Sequence, residues 1–254
     1  MCRLLGTVSR TPVTLDEVLG ERRADFLALA HQHGDGWGHA WAGRDGLDVR
    51  KGPDSALVSA ELAALAAGQA SEAALTHLRW ATLGLPVRPA NSHPFSADGL
   101  AFAHNGSISP PEALDTLVDP ELVALRRGDT DSERYFLAVL SRVRRGATPA
   151  EALVATVCDV LVSGARVHSL NCLLLTPDAL LAVCCYDAAG DEDPDYYPLL
   201  YRGDGGTVVV SSTGWTDNAG WSVLGNGQML VVERGSLHTS VLPVGRPGPG
   251  GRSV

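Results

Sequence analysis

A cysteine directly after the initiator methionine is the first feature of this sequence that could carry chemistry. If Met1 is removed, Cys2 becomes the N-terminal residue, and its own α-amine, with an ordinary pKa of about 8, lies beside the thiol as a base. A thiol with an adjacent base is suited to attack on a carbonyl. The alternative is a small buried hydrophobe at the start of a strand, because free cysteines are usually buried and inert. Position alone leaves both interpretations open.

A second candidate is an Asn-Gly pair that follows the apolar, strand-like segment Leu100–His104. Asn105 offers a side-chain amide and Gly106 an unobstructed backbone N–H. Two such donors are suited to stabilise the oxyanion that forms when a carbonyl is attacked. The alternative is a turn that ends the strand, for which Asn-Gly is the commonest sequence.

Two charged residues could bind the ends of an amino acid. Arg79 closes the strand-like segment Ala74–Trp80, and its planar guanidinium could receive a carboxylate with support from the Thr82 hydroxyl. An exposed surface arginine is the alternative. The stretch from Gly128 to Glu133 is typical of a helix start, with Asp or Ser as the N-cap and Glu in the first turn. Since capping needs only one acid, Asp131 is left to bind an ammonium group.

Motifs for other chemistry are missing from the sequence. Neither the P-loop pattern nor the GxGxxG dinucleotide pattern occurs, so no nucleotide cofactor is expected. His31 and His33 alternate at the start of a loop without a third obvious ligand, which disfavours a metal site. The five cysteines are odd in number and have no CxxC spacing, so neither a disulfide framework nor a structural zinc site is expected.

Composition excludes further classes. The chain has 254 residues, of which 45% are hydrophobic, as in globular proteins of one large or two small domains. With 29 acidic and 20 basic residues the net charge is −9, which disfavours a nucleic-acid partner. No apolar run approaches the roughly 20 residues of a membrane span, and no secretory signal is visible. The sequence therefore predicts a cytoplasmic protein.

Hydrophobic periodicity predicts a set of helices between two groups of strands. Because the order shows no βαβ alternation, the pattern favours antiparallel sheets with helices layered outside them. Expected helices are Leu15–Ala30, Ser55–Ala67, Pro110–Val118, Ser132–Arg145 and Pro149–Ser163; expected strands are Arg3–Val8, Trp37–Trp41, Leu47–Lys51, Ala74–Trp80, Leu100–His104, Ser169–Thr176, Leu180–Asp187, Tyr197–Arg202, Thr207–Ser212, Gln228–Glu233 and Ser236–Val241. The acidic loop Asp187–Asp195 and the Gly/Pro-rich tail Gly245–Val254 are expected to be mobile.

Six motifs occur in a specific order along the chain: MCRLLG at the start, DGWG from 35, HLRWAT from 77, NSHPF from 91, HNGSI from 104 and GDTDSE from 128. In this combination the sequence resembles the class II glutamine amidotransferases, and in particular stand-alone members such as the ergothioneine-pathway γ-glutamyl hydrolases. The resemblance implies an α+β N-terminal-nucleophile hydrolase fold, a four-layer αββα sandwich of two antiparallel sheets flanked by helices. It implies one domain over residues 2–244, followed by a disordered tail at 245–254.

The resemblance assigns roles by position. It makes Cys2 the nucleophile after removal of Met1, and Asn105 with Gly106 the oxyanion hole. Arg79, aided by Thr82, would hold the α-carboxylate of a glutamine or γ-glutamyl group, and Asp131 its α-ammonium.

Two further positions complete the comparison with the family. Gly36 and Trp37 match the loop beside the leaving amide. The chain departs from the family at Leu83, where many members have a histidine, so one contact to the carboxylate is in question.

The implied reaction is cleavage of a γ-amide through a γ-glutamyl thioester on Cys2, with glutamate and ammonia or an amine as products. At 254 residues the chain matches one glutaminase domain, and the expected outcome is hydrolysis of glutamine or a γ-glutamyl amide. The runner-up is a glutaminase subunit that delivers ammonia to a partner synthase. A third hypothesis is a non-catalytic relic that binds γ-glutamyl compounds. The presence of Cys2, Asn105, Gly106, Arg79 and Asp131 disfavours it.

Overall fold

The computed structural model describes residues 2–81, 84–189, 196–217 and 219–245. These residues form strands and α-helices together with short 3-10 helices. The strands are β1 Arg3–Val13, β2 Trp37–Gly43, β3 Gly46–Gly52, β4 Ser71–Leu78, β5 Phe95–Ala97, β6 Leu100–Ser109, β7 Arg166–Leu175, β8 Ala179–Cys184, β9 Leu199–Gly203, β10 Thr207–Ser212, β11 Ser222–Leu224, β12 Gln228–Glu233 and β13 Thr239–Pro243. The α-helices are α1 Leu15–Leu19, α2 Arg23–Ala28, α3 Ala60–Gly68, α4 Pro120–Val123, α5 Asp131–Arg144 and α6 Pro149–Val162. The 3-10 helices are Gly20–Arg22, Leu29–His31, Pro89–Asn91 and Pro111–Leu117.

The strands make two antiparallel sheets. The first has the order β11-β9-β10-β1-β4-β2-β3 and the second β13-β12-β8-β7-β6-β5. Strand β1 lies inside the first sheet, where it pairs with β4 on one side and with β10 on the other. The N-terminal strand is therefore fixed from both sides.

Three apolar clusters separate four layers. The first fills the space between the sheets, where Leu4 and Leu75 of the first sheet meet Leu173 of the second. Another packs α5 and α6 against the outer face of the second sheet, and the third packs α1, α2 and α3 against the outer face of the first. This arrangement confirms the αββα sandwich.

The pairing of β1 with β4 determines what lies beside the N-terminus. Leu4 faces the space between the sheets and Leu5 the outer helical layer, as strand alternation requires. Arg3 pairs with Leu78 and Leu4 with His77. Because β1 begins where the antiparallel β4 ends, Cys2 lies next to the residues that follow Leu78, which begin with Arg79.

Several expected helices are confirmed in position but differ in form. The segment predicted as one helix over Leu15–Ala30 is divided by the 3-10 turn at Gly20–Arg22, where Gly20 has a φ of 53°. The helix expected from Ser55 begins only at Ala60, because Ser59 accepts a hydrogen bond from the Leu62 N–H and acts as the N-cap. The segment Pro110–Val118 forms a 3-10 helix rather than an α-helix.

The turn alternative for Asn105 and Gly106 is wrong. Strand β6 does not end at His104 but continues to Ser109, since Asn105 pairs with Asn171 and Gly106 with Leu170 of β7. Strands β5 and β11 were not predicted, because each is only three residues long.

Within the described residues, no helix is long and apolar enough to span a membrane. The acidic loop Asp187–Asp195 and the tail Gly245–Val254 were expected to be mobile, and most of their residues, 190–195 and 246–254, lie outside the described part of the chain.

Candidate active site

A small cavity lies at one end of the two sheets, where β1, β4 and β6 meet the start of α5. Its volume is about 30 Å³, enough for about two water molecules. Four of the residues singled out by sequence meet there: Cys2, Arg79, Gly106 and Asp131. The other lining residues are Trp80, Leu85, Asn91, His93, His104, Thr130 and Ser132.

Cys2 is half-buried at this cavity, with its Sγ atom 3.6 Å from the carbonyl oxygen of Trp80. Burial raises the pKa of its thiol above the ordinary value, and the positive charge of Arg79 only partly opposes this effect. The thiol is therefore protonated at neutral pH and needs a base before it can act as a nucleophile. Met1, whose removal would free the α-amine, lies outside the described residues.

Arg79 is buried, with 3% of its surface exposed, so the surface alternative is wrong. The backbone of Arg79 continues the pairing of β4 with β2 beyond the ends of both strands. Its N–H donates to the Gly36 carbonyl at 2.8 Å and its carbonyl accepts from the Asp35 N–H at 3.0 Å. The guanidinium donates to the Asp35 carbonyl at 3.2 Å and to that of Pro86 at 3.5 Å. Among the described residues no carboxylate lies within ion-pair distance of it, and a carboxylate from outside would supply the missing charge.

Burial also lowers the pKa of Arg79, although the nearby Cys2 and Asp35 favour its charged form. The guanidinium is nevertheless positive at any physiological pH, since an arginine in a protein is effectively always protonated. Arg79 therefore offers a fixed positive charge at the cavity.

Asp131 is the first residue of α5, and its carboxylate is held by backbone donors. One oxygen accepts from the Ile108 N–H at 2.7 Å and the other from the Ser132 N–H at 2.8 Å. The expected cap was Asp or Ser, but the N-cap is Thr130, whose hydroxyl accepts from the Glu133 N–H at 3.1 Å. A carboxylate has about four lone-pair positions, so Asp131 can still accept from an ammonium group.

Asn105 has no exposed surface, and neither its Nδ2 nor its Oδ1 atom has a hydrogen-bond partner. The asparagine opposite it is fully used: Asn171 donates to the Tyr197 carbonyl and accepts from the Cys185 N–H at 2.7 Å. A buried amide without partners is unfavourable in a folded chain and needs an explanation. A ligand that forms hydrogen bonds with the Asn105 amide would be one such explanation.

Glycine is the only residue type that fits at position 106. A Cβ atom there would lie 1.9 Å from the carbonyl oxygen of Ser169 on the paired strand. The same carbonyl accepts from Nε2 of His104 at 2.9 Å, and Nδ1 of that ring then accepts from the Ser132 hydroxyl at 2.9 Å. Burial lowers the pKa of His104, which keeps the ring neutral in this tautomer.

The remaining predicted site residues lie differently. Gly36, with a φ of 136°, contributes its carbonyl to the Arg79 backbone. The Trp37 side chain is fully buried in the outer core, where Nε1 donates to Asp54 at 3.0 Å, and it does not line the cavity. Thr82 and Leu83 lie outside the described residues.

Sequence reasoning assigned no role to the NSHPF segment, although it noted the motif. Asn91 donates to the Pro86 carbonyl at 3.0 Å and accepts from the Asp129 N–H at 2.9 Å, so it joins two loops at the cavity. His93 lies with its ring centroid 4.2 Å from that of His77. Burial lowers the pKa of both rings far below the ordinary value, so both are neutral.

No three His, Cys, Asp or Glu side chains of the described ranges lie together in a way that could hold a metal ion.

Comparison with known proteins adds a family and relatives. The family model described as "Glutamine amidotransferases class-II" matches residues 1–189. The chain is 29% identical over 255 residues to the gamma-glutamyl-hercynylcysteine sulfoxide hydrolase of Mycolicibacterium smegmatis, a match that covers 96% of this chain and 100% of that protein.

Two solved structures share the fold. A glutamine aminotransferase class-II domain protein from Silicibacter pomeroyi has a TM-score of 0.68 at 22% identity, covering 96% of this chain and 100% of the other. The glutamine phosphoribosylpyrophosphate amidotransferase of B. subtilis has a TM-score of 0.64 at 17% identity, covering 96% of this chain and 49% of the other. The family match spans well over half of the sequence, and the chain belongs to the class II glutamine amidotransferases, enzymes that act on an amide bond.

Proposed function

We propose that this enzyme is an amidohydrolase that cleaves the γ-amide of glutamine or of a γ-glutamyl amide through a thioester on Cys2. The observation that carries the proposal is the fully buried Asn105 amide without partners, beside a cavity lined by Cys2, Arg79 and Asp131. The relative from M. smegmatis that is matched over its whole length is by name a γ-glutamyl hydrolase.

Recognition of the substrate follows from two fixed charges. Arg79 would bind the α-carboxylate of the glutamyl group, which gives the buried guanidinium the carboxylate that it lacks. Asp131, already oriented by Ile108 and Ser132, would accept from the α-ammonium. Opposite charges at these two points select a free amino acid end and exclude a glutamine inside a chain.

Acylation uses the N-terminal residue as both nucleophile and base. With Met1 removed, the α-amine of Cys2 takes the thiol proton while Sγ attacks the γ-carbonyl carbon. The Asn105 amide and the Gly106 N–H stabilise the negative oxygen of the tetrahedral intermediate. The amine then gives its proton to the departing nitrogen, the C–N bond breaks, and a γ-glutamyl thioester remains.

Deacylation repeats these steps with water. The same α-amine takes a proton from water, whose oxygen attacks the thioester carbonyl, and the oxyanion hole again holds the developing charge. Collapse of the intermediate breaks the C–S bond, returns a proton to Sγ and releases glutamate.

We also propose that residues 2–244 act as one catalytic domain. Strand β1 pairs with β10, and β12 and β13 extend the sheet that contains β6, so each sheet is built from strands of both halves of the chain.

The test is glutamate release from glutamine and from γ-glutamyl amides by the purified protein. We expect turnover that is lost in Cys2→Ala and kept in Cys158→Ala, because Cys158 is the other half-buried thiol among the described cysteines and lies on α6. Equal activity of Cys2→Ala and the parent enzyme would refute the thioester mechanism. Turnover seen only after addition of a second protein would instead favour a glutaminase subunit that serves a partner synthase.

A further inference from the structure

A second buried guanidinium stands next to the nucleophile. Arg3 is 6% exposed, and its Nε atom is buried without a hydrogen-bond partner. Its one hydrogen bond in the described structure runs from Nη1 to the Tyr196 carbonyl at 3.5 Å, and no described carboxylate lies within ion-pair distance. A guanidinium has five donors, so most of the donor capacity of Arg3 is unused.

A series of contacts connects Arg3 to Trp80 and Cys2, two residues that line the cavity. The guanidinium carbon lies 3.9 Å from the centre of the Tyr196 ring, and the Tyr196 hydroxyl is 3.1 Å from Nε2 of His33. The His33 ring packs edge-on against Trp80 at 5.7 Å, and the Trp80 carbonyl contacts the Cys2 thiol. These contacts run without a break from Arg3 through Tyr196, His33 and Trp80 to the nucleophile.

The glutamyl half of the substrate does not need Arg3. In the proposed function its carboxylate and ammonium are bound by Arg79 and Asp131. Arg3 lies on the opposite face of β1 from Leu4, in register with Leu78, and its positive charge is near enough to Cys2 to interact with it. The part of the substrate left for this cation is the leaving amine.

The chemistry of the leaving amine then follows from distance. Consecutive Cα atoms are about 3.8 Å apart, so the long Arg3 side chain starts one residue away from the nucleophile that attacks the scissile bond. In a γ-glutamyl amino acid, the α-carboxylate is separated from the scissile nitrogen by a single carbon. A planar guanidinium binds such a carboxylate through two parallel hydrogen bonds.

We propose that Arg3 binds the α-carboxylate of the leaving amine, so that γ-glutamyl amino acids are preferred to glutamine and to neutral γ-glutamyl amides. This inference rests on the proposed function, because it concerns the leaving group of the same reaction. Arg3 is here a specificity residue and takes no part in bond breaking.

The test compares γ-glutamyl-alanine with γ-glutamyl-alaninamide, two substrates of nearly equal size that differ in the negative charge. We expect the parent enzyme to favour γ-glutamyl-alanine in kcat/KM by about 10- to 100-fold, the range for a hydrogen-bonded charge pair. Arg3→Met should bring the ratio close to one, and Arg3→Lys should give an intermediate value. Because the readout is a ratio, a general loss of activity in a variant does not affect it.

Arg202→Met is the matched control, since the guanidinium of Arg202 on β9 also rests on an aromatic ring, 4.9 Å from the centre of Trp221. It should keep the parental ratio. A parent enzyme that hydrolyses both substrates equally well, or an Arg3→Met variant with the parental ratio, would overturn the role of Arg3 and leave the proposed function intact. Failure of the parent enzyme on glutamine and on both amides would overturn the proposed function itself.

Discussion

At the scale of single residues, two asparagines face each other across β6 and β7 with opposite hydrogen-bonding states. Asn171 is bonded through both ends of its amide, whereas Asn105 is bonded through neither. The sequence predicted the donor role of Asn105 but left a turn as the alternative, since Asn-Gly is compatible with both. The pairing of β6 with β7 excludes the turn, and the paired residues Gly106 and Leu170 are 64 positions apart in the chain.

The two asparagines should respond oppositely to the same substitution. Asn105→Leu removes the proposed oxyanion donor, so kcat should fall about 100- to 1,000-fold. Its free energy of unfolding should stay level or rise by about 1 kcal/mol, because a buried amide without partners is replaced by an apolar group. Asn171→Leu should lower the free energy of unfolding by about 1–3 kcal/mol, since it leaves buried backbone groups without partners.

Kinetic assays and urea denaturation of both variants measure these effects. A large loss of stability in Asn105→Leu would show that the amide has a structural partner and would count against its role in the oxyanion hole.

At the scale of elements, the start of α5 combines a structural cap with the proposed binding group Asp131. Thr130 caps the helix and Asp131 follows it at the cavity. The sequence predicted this helix start, but it did not identify Thr130 as the cap, because Asp and Ser, which lie near Thr130 in the sequence, are on average the more favourable N-cap residues. The start of α6 at Pro149 was predicted, and the structure confirms it, with Thr148 as the N-cap.

Removal of the two caps separates stability from binding. Thr130→Ala and Thr148→Ala should each lower the free energy of unfolding by about 1 kcal/mol. Only Thr130→Ala should also raise KM for glutamine, because Thr130 sets the position of the first turn that carries Asp131. Denaturation curves and steady-state kinetics on the pair measure both effects. An equal KM for the two variants would contradict the coupling of this cap to the substrate site.

At the scale of the whole molecule, Lys51 links the two sheets beside the site. It lies on β3 of the first sheet, and its ammonium donates to the carbonyls of Ser92 at 2.7 Å and Pro94 at 3.2 Å, just before β5 of the second. Periodicity predicted the strand pattern and the layers. It could not predict this link, or the position of His93 in the cavity, because both depend on how a long irregular loop folds back over β2 and β3.

This link has a pH dependence whose sign can be derived. Burial lowers the pKa of Lys51 to about 8 from an ordinary value of 10.5. Between these pH values the unfolded chain binds more protons than the folded one at this residue, so its contribution to stability rises with pH. The free energy of unfolding of the parent enzyme minus that of Lys51→Met should therefore increase by up to about 3 kcal/mol from pH 8 to 10.5. Urea denaturation across this range measures it, and a difference that is flat or falls with pH would contradict the burial of a charged Lys51.

The central claim is that Cys2 acts as an N-terminal nucleophile, and mass spectrometry tests it most directly. The active enzyme is treated with a diazoketone analogue of glutamine and its intact and peptide masses are measured. We predict that Met1 is absent, that one adduct forms, that the adduct lies on Cys2, and that it is lost in Cys2→Ala but kept in Cys158→Ala. An active enzyme that retains Met1, or an adduct that persists in Cys2→Ala, would contradict the account.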